Sequence, residues 1–311
     1  FSPRVYRQAA YCSNLTVQAG ATLTINTNQL FAGGNAHIHG FLNMNHSFAK
    51  FHLGGDMVWE PGSTASMIGS ASILVTGDWN FEAGANVQLT GGFVEFEGAG
   101  ISYIRCYDDN CNLFNLKCSK YTPDYLGVSA LSTEDLPVNN LYLYSGTAFH
   151  CYSSYNVIIR GFMNNLGGVF QWPTGGAVFT GNPSVVPLNP TVNSYFNDLV
   201  QSGTGPLVLG NTYTNYLRVA RNVTIVSNAL DCASLGIWVG GNWNNEVGRS
   251  GFLCRTGSVT FTGSSSQYVY GSNVFHTVWD ARGGVGTLWV NNDVVVSNAW
   301  HVTTLHGIQG R

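Results

Sequence analysis

A Gly-Asn or Gly-Asp pair returns at a nearly fixed interval: Gly34-Asn35, Gly55-Asp56 and Gly77-Asp78 lie 21 and 22 residues apart. A unit this short cannot bury a hydrophobic face by itself, so it has to stack on its neighbours. The last two pairs open a longer match. Glu60 aligns with Glu82, Gly62 with Gly84, Ala65 with Val87 and Met67 with Leu89, each at a spacing of 22. Short alternating runs such as Leu23-Thr24-Ile25 and Val87-Gln88-Leu89 fill the intervals. Alternation bounded by Gly and Asn is the pattern of half-buried strands. The L-x-x-L-x-L rhythm of leucine-rich repeats, which share this period, is absent. The spacing therefore predicts an all-β fold, a parallel β-helix (β-solenoid) with rungs of about 22 residues and about 14 coils. The handedness expected of parallel crossovers is right-handed.

A longer period of about 80 residues overlies the short one. Gly77-Asp78-Trp79-Asn80, Gly161-Phe162-Met163-Asn164 and Gly241-Asn242-Trp243-Asn244 are 84 and 80 residues apart. Phe96-Glu97-Gly98, Phe179-Thr180-Gly181 and Phe261-Thr262-Gly263 follow them at 83 and 82. The chain reads as one solenoid segment, 1–311, of a longer protein. Stretches 119–140, 182–193 and 200–216 break the rhythm and are expected to leave the solenoid as loops.

Composition narrows the function classes. Charged residues are 9% of the chain, against about 25% in an ordinary domain. The only lysines are Lys50, Lys117 and Lys120, so no basic stripe exists for nucleic acid. No apolar run reaches the ~18 residues of a membrane helix. Of the seven cysteines, Cys106 and Cys111 close a short polar loop and form a candidate disulfide, as an exported chain would allow. Adding Cys118 makes a zinc set whose spacing fits no standard pattern.

Candidate chemistry is sparse. Glycan hydrolysis needs paired carboxylates, and the pairs present are Asp108-Asp109, Glu134-Asp135 and the same-face Glu95 and Glu97. Lys117 or Lys120 beside Asp108-Asp109 could supply the base of a lyase. His37 and His39 share a strand face and are weak metal candidates if His52 or Asp56 approaches from the next rung. The Gly-His-Gly and Arg-x-Lys elements of polygalacturonases are missing, and no cofactor motif occurs, so none is expected. Asn35, Asp56, Asp78 and Asn242 follow Gly at corresponding turns and are expected to bond backbone amides in ladders. The tryptophans and 15 tyrosines exceed what a narrow core holds easily. Exterior aromatic contacts to a glycan or partner are therefore expected at Tyr142, Tyr144, Trp172, Trp279 and Trp289.

Several strings carry a family resemblance. Pro3, Tyr11-Cys12-Ser13-Asn14-Leu15-Thr16-Val17 and Gly20-Ala21-Thr22-Leu23-Thr24-Ile25 open it. Gly241-Asn242-Trp243-Asn244-Asn245, Ser258-Val259-Thr260-Phe261-Thr262-Gly263 and Asp293-Val294-Val295-Val296 continue it. Together they resemble the β-helix repeat regions of large cell-surface, adhesin-like proteins of Bacteroidota. The resemblance implies export by the type IX secretion system and a secreted or cell-surface location. It implies partners among copies of the chain, other surface proteins, glycans and, during export, the outer-membrane secretion machinery. The resulting expectation is a non-catalytic structural or adhesive segment able to build a stalk or filament. The alternatives are a carbohydrate-active β-helix, lyase or hydrolase, and a glycan-binding module.

Overall fold

The computed structural model describes residues 3–6, 8–181, 186–187, 193–210, 216–282, 286–302 and 308–310. Described residues are all-β with no helix, and the strands pair in parallel as a β-solenoid of about 13 turns. The backbone divides into two compact units, Phe1–Ile158 and Ile159–Arg311.

In the first unit, one sheet runs through Ala10–Cys12, Gln29–Ala32, Lys50–Leu53, Ser72–Val75, Phe93–Phe96, Leu113–Cys118 and Leu136–Tyr144. A second runs through Leu15–Val17, Ala36–Ile38, Met57–Trp59, Trp79–Phe81, Ser102–Cys106, Leu126–Val128 and Ala148–Cys151. A third, shorter sheet holds Arg4–Val5, Thr22–Ile25, Phe41–Met44 and Thr64–Met67. Alternation decides which side chains enter the core. Met57 and Trp59 are buried while Val58 faces out, and Trp79 and Phe81 are buried while Asn80 faces out. The inward aromatics meet across rungs. Trp79 lies 5.6 Å from Trp59, 5.8 Å from Phe81 and 6.3 Å from Phe96.

The second unit repeats the plan. Its first sheet takes Gly176–Phe179, Asp198–Gln201, Val223–Ile225, Trp243–Asn245, Gln267–Tyr270, Leu288–Asn291 and Ile308–Gly310. Its second takes Val169–Gln171, Tyr195–Phe196, Tyr216–Val219, Gly236–Val239, Ser258–Phe261, Asn273–Asp280 and Val294–Val302. A short third sheet orders Val186–Pro187, Leu207–Gly210, Leu230–Asp231 and Phe252–Leu253.

The Gly-Asn/Asp turns work as ladders. Oδ1 of Asn14, Asn35, Asp56 and Asp78 accepts from the backbone N–H of Asn35, Asp56, Asp78 and Tyr103, at 2.8–2.9 Å. In the second unit Asp198, Asn222 and Asn242 accept in the same way from Asn222, Asn242 and Tyr268, at 2.9–3.0 Å. A short side chain with a carbonyl-type oxygen is what reaches the next rung's amide. Glycine precedes Asn35, Asp56, Asp78 and Asn242, and the reason is steric where the rungs are tightest: a Cβ on Gly55 or Gly77 would overlap Oδ1 of Asn35 or Asp56.

Two of the expected loops contain strands that join the sheets. Segment 119–140 supplies Leu126–Val128, in register with Ser102–Ile104, and the first part of Leu136–Tyr144. Segment 200–216 supplies Leu207–Gly210, although 211–215 lie outside the described residues. Extra length here makes longer rungs, because extended backbone in these stretches finds ladder partners for its amides. Segment 182–193 lies outside the described residues except for Val186, Pro187 and Asn193.

Candidate functional site

Inward side chains fill the core, so any ligand or partner meets the outward rows, where one residue per rung stands in register. The most aromatic row lies on the second sheet of the second unit. Register pairs Tyr195 with Arg218, Arg218 with Trp238, Trp238 with Thr260, Thr260 with Trp279, and Trp279 with His301. Tyr216 stacks on Trp238 at 3.8 Å and 6°. Its ring crosses the space above Gly236, where a Cβ would meet Tyr216 Cβ at 3.3 Å. His301 stacks on Trp279 at 3.7 Å and 12°. The Arg218 guanidinium lies 5.9 Å from the Tyr195 ring centre, a cation–π contact. Each pair belongs to successive rungs, so Trp238 and Trp279 are walls two strand spacings apart with the small Thr260 between them. Trp279 is 38% exposed and Thr260 is 7% exposed.

On the first sheet of the same unit, Tyr268 stacks near Tyr270 at 5.7 Å and near Trp289 at 6.4 Å. Trp279 and Trp289, both expected as exterior contacts, stand on different sheets. Tyr142 and Tyr144 belong to the first unit, facing outward between the inward Leu141 and Leu143. Phe93 lies 5.9 Å from Tyr142, and Lys117 Nζ lies 5.5 Å from the Tyr144 ring centre. Trp172 is a correction. It is fully buried, 5.0 Å from Phe196 and 6.0 Å from Phe170, because alternation turns Phe170 and Trp172 inward together. The core holds Trp59, Trp79, Trp172 and Trp243 without exposure, more than a narrow solenoid was expected to take.

A polar aromatic network occupies the second sheet of the first unit. Tyr103 and Tyr125 share a hydroxyl–hydroxyl bond of 2.9 Å, Tyr125 stacks on His150 at 4.3 Å, and His150 Nδ1 bonds Tyr152 Oη at 2.9 Å. Gly127 stands in register with Tyr103 and His150, and its bare Cα leaves room for the Tyr125 ring. Arg105 adjoins with a 2.7 Å ion pair to Asp78. Burial holds the His150 imidazole below its usual range. The hydrogen bond with Tyr125, then burial, pushes the Tyr103 phenol up to about 12.

A folded-state phenol raised above the ordinary value of 10 contributes stability that is complete below pH 10 and is lost as pH rises toward 12. Urea midpoints measured across that window should fall. Tyr103→Phe should flatten the fall, and an unchanged slope in the variant would remove Tyr103 as its source.

The remaining candidates are held in contacts between rungs. His37 pairs with Glu60 at 2.9 Å on the second sheet, while His52 bonds Gln29 at 3.1 Å on the first, so the topology separates them. His39 is half-buried just past the end of Ala36–Ile38. Among the described residues, no three His, Cys, Asp or Glu side chains converge as a metal set. Asp108 accepts from the backbone N–H groups of Asn110 and Gly84, which hold its carboxyl below the usual range. Lys117 pairs with Glu95 at 2.7 Å. Lys120 is fully buried, donates to the Thr76 carbonyl at 2.8 Å, and is lowered by that burial. Cys106 and Cys111 are a second correction: both are buried free thiols, and Cys111 donates to the Ala85 carbonyl across a rung rather than bonding its chain neighbour. Burial raises both.

Sequence reasoning missed Tyr195, Arg218 and the Tyr103–Tyr125–His150 network, and it counted Trp238 only among the tryptophans too many for the core. The available signal was the middle residue of successive alternating triplets, Leu217-Arg218-Val219, Ile237-Trp238-Val239 and Val259-Thr260-Phe261. Comparison with known proteins finds no matching family model, no similar curated protein and no similar solved structure.

Proposed function

We propose that this chain is a non-catalytic structural and adhesive segment of an exported cell-surface protein, with the outward row Tyr195–Arg218–Trp238–Thr260–Trp279–His301 as its contact surface. That row carries the reading. It repeats at the strand spacing, about 4.8 Å, so it suits a partner that is itself periodic, such as a glycan chain or another copy of the solenoid. Low charge lowers the desolvation cost of such contacts. Many of the few carboxylates serve turns and ion pairs within the fold, as Asp56, Asp78, Asp108 and Asp198 do.

The slot between Trp238 and Trp279 favours glycan binding as a second reading. The two rings cover Thr260, which is only 7% exposed between them, so a sugar ring is expected to lie across the rim of the two indoles.

The test is a double variant, Trp238→Ala with Trp279→Ala, beside the unaltered chain in two assays. Electron microscopy scores filaments or stalks, and a glycan array scores saturable retention. Loss of assembly or at least a tenfold drop in retention, with an unchanged melting temperature, supports the reading. Unaltered protein that neither assembles nor is retained overturns it. Release of cleaved oligosaccharide would replace it with the enzyme alternative.

A further inference from the structure

We propose that Cys232 and Cys254 are a redox-active dithiol that closes into a disulfide between successive rungs. They occupy equivalent places in consecutive turns. The Leu235 N–H donates to the Cys232 carbonyl at 2.7 Å, and the Gly257 N–H donates to the Cys254 carbonyl at 2.9 Å. The strands before them pair Leu230 with Phe252 and Asp231 with Leu253, which sets Cys232 opposite Cys254. Parallel neighbours stand about 4.8 Å apart, inside the roughly 4.4–6.8 Å Cα window a disulfide requires. Both side chains turn inward, at 0% and 4% exposure. Cys232 Sγ donates to the Cys254 carbonyl at 2.9 Å, and Cys254 Sγ donates to the Gly257 carbonyl at 3.1 Å. Glycine at 257 makes the room, since a Cβ there would lie 2.9 Å from Cys232 Sγ.

The two thiols differ in character. The adjoining Cys232 thiol, helped by the backbone amides of His276 and Thr277, outweighs burial and holds Cys254 below the usual thiol range. Donation to Cys254 and burial push Cys232 up. Burial raises Cys118 to about 11, and burial with the nearby Asp135 carboxylate raises Cys151 to about 12, so those thiols stay inert at neutral pH. Cys254 also lines a surface pocket of about 460 Å³ together with Arg249, Arg255 and His276. Arg255 is held there by a bidentate bond to Asp231, with the shorter arm on Oδ2. Arg249 is likewise paired, with Asp293 at 2.7 Å, so the mouth is polar with its charges matched, and the oxidant it admits is a small polar disulfide.

The Cys254 thiolate attacks one sulfur of that disulfide, forming a mixed disulfide and expelling one thiolate. Cys232 then gives its proton to the expelled thiolate and attacks the Cys254 sulfur, expelling the second thiolate, which takes a proton from water. Two protein thiols are oxidised and one small disulfide is reduced to two thiols.

The whole chain is treated with glutathione disulfide at neutral pH, alkylated under denaturing conditions and mapped by mass spectrometry. The expected result is a Cys232–Cys254 linked peptide and the loss of two hydrogens from the intact mass. Cys232→Ser should trap glutathione on Cys254, and Cys254→Ser should give neither product. Iodoacetamide should label Cys254 at least tenfold faster than Cys118. Seven alkylated thiols after oxidation, or a link between other cysteines, would overturn the proposal. The unaltered chain decides the question even if a serine variant fails to fold.

Discussion

Replacing Trp79 with alanine is expected to lower the free energy of unfolding by about 3–5 kcal/mol. The ring is fully buried and touches Trp59, Phe81 and Phe96, so its removal opens a cavity that three other rings line. Rungs of a solenoid interact mainly with nearest neighbours, which localises the damage. Hydrogen exchange should therefore speed up first in Met57–Trp59 and Ser102–Cys106, the strands that flank Trp79–Phe81. Val58→Ala, on the outward face of a neighbouring strand, serves as the comparison, with an expected cost below about 1 kcal/mol. Equal costs at both positions would mean that the inward and outward faces are wrongly assigned.

Replacing Arg282 with methionine should cost about as much, roughly 3–5 kcal/mol, for a different reason. Arg282 Nε bonds Asp280 Oδ1 at 2.7 Å and an amino nitrogen bonds Oδ2 at 2.6 Å, with both side chains at most 3% exposed. Removing the guanidinium leaves a carboxylate in the core without its fork of donors. The double variant Asp280→Leu with Arg282→Met removes both charges and should recover most of the loss, since an apolar pair can equal a buried ion pair. Urea unfolding of the single and double variants measures the coupling directly. A double variant as unstable as the single one would show that packing around Arg282, and not the stranded charge, sets the cost.

Much of the fold is legible in the sequence. A period of about 22 residues, too short to fold alone, leaves stacking as the solution, and the ladder residues Asn35, Asp56, Asp78 and Asn242 behave as their place after glycine implies. The inward and outward assignments of Leu141, Tyr142, Leu143 and Tyr144 follow from alternation alone. Less of the candidate site was legible. Trp279 is legible as an outward aromatic, but its partners Trp238 and His301 stand 41 and 22 residues away in the chain, with Thr260 between the two tryptophans. Rung length varies, so counting residues does not give the register.

Local chemistry was thus fixed by the sequence: turns by Gly with Asn or Asp, strands by alternation, and a weak charge by composition. Tertiary structure decided which residues are neighbours. Cys106 and Cys111 are close in the chain yet remain separate thiols, whereas Cys232 and Cys254, a full rung apart, meet in the core. Segment 119–140 looked like an insertion until Leu126–Val128 paired with Ser102–Ile104. In each case the physical reason is the same. In a solenoid the contacts that matter run perpendicular to the chain, from rung to rung, and their register is set by backbone hydrogen bonding between strands rather than by proximity in sequence.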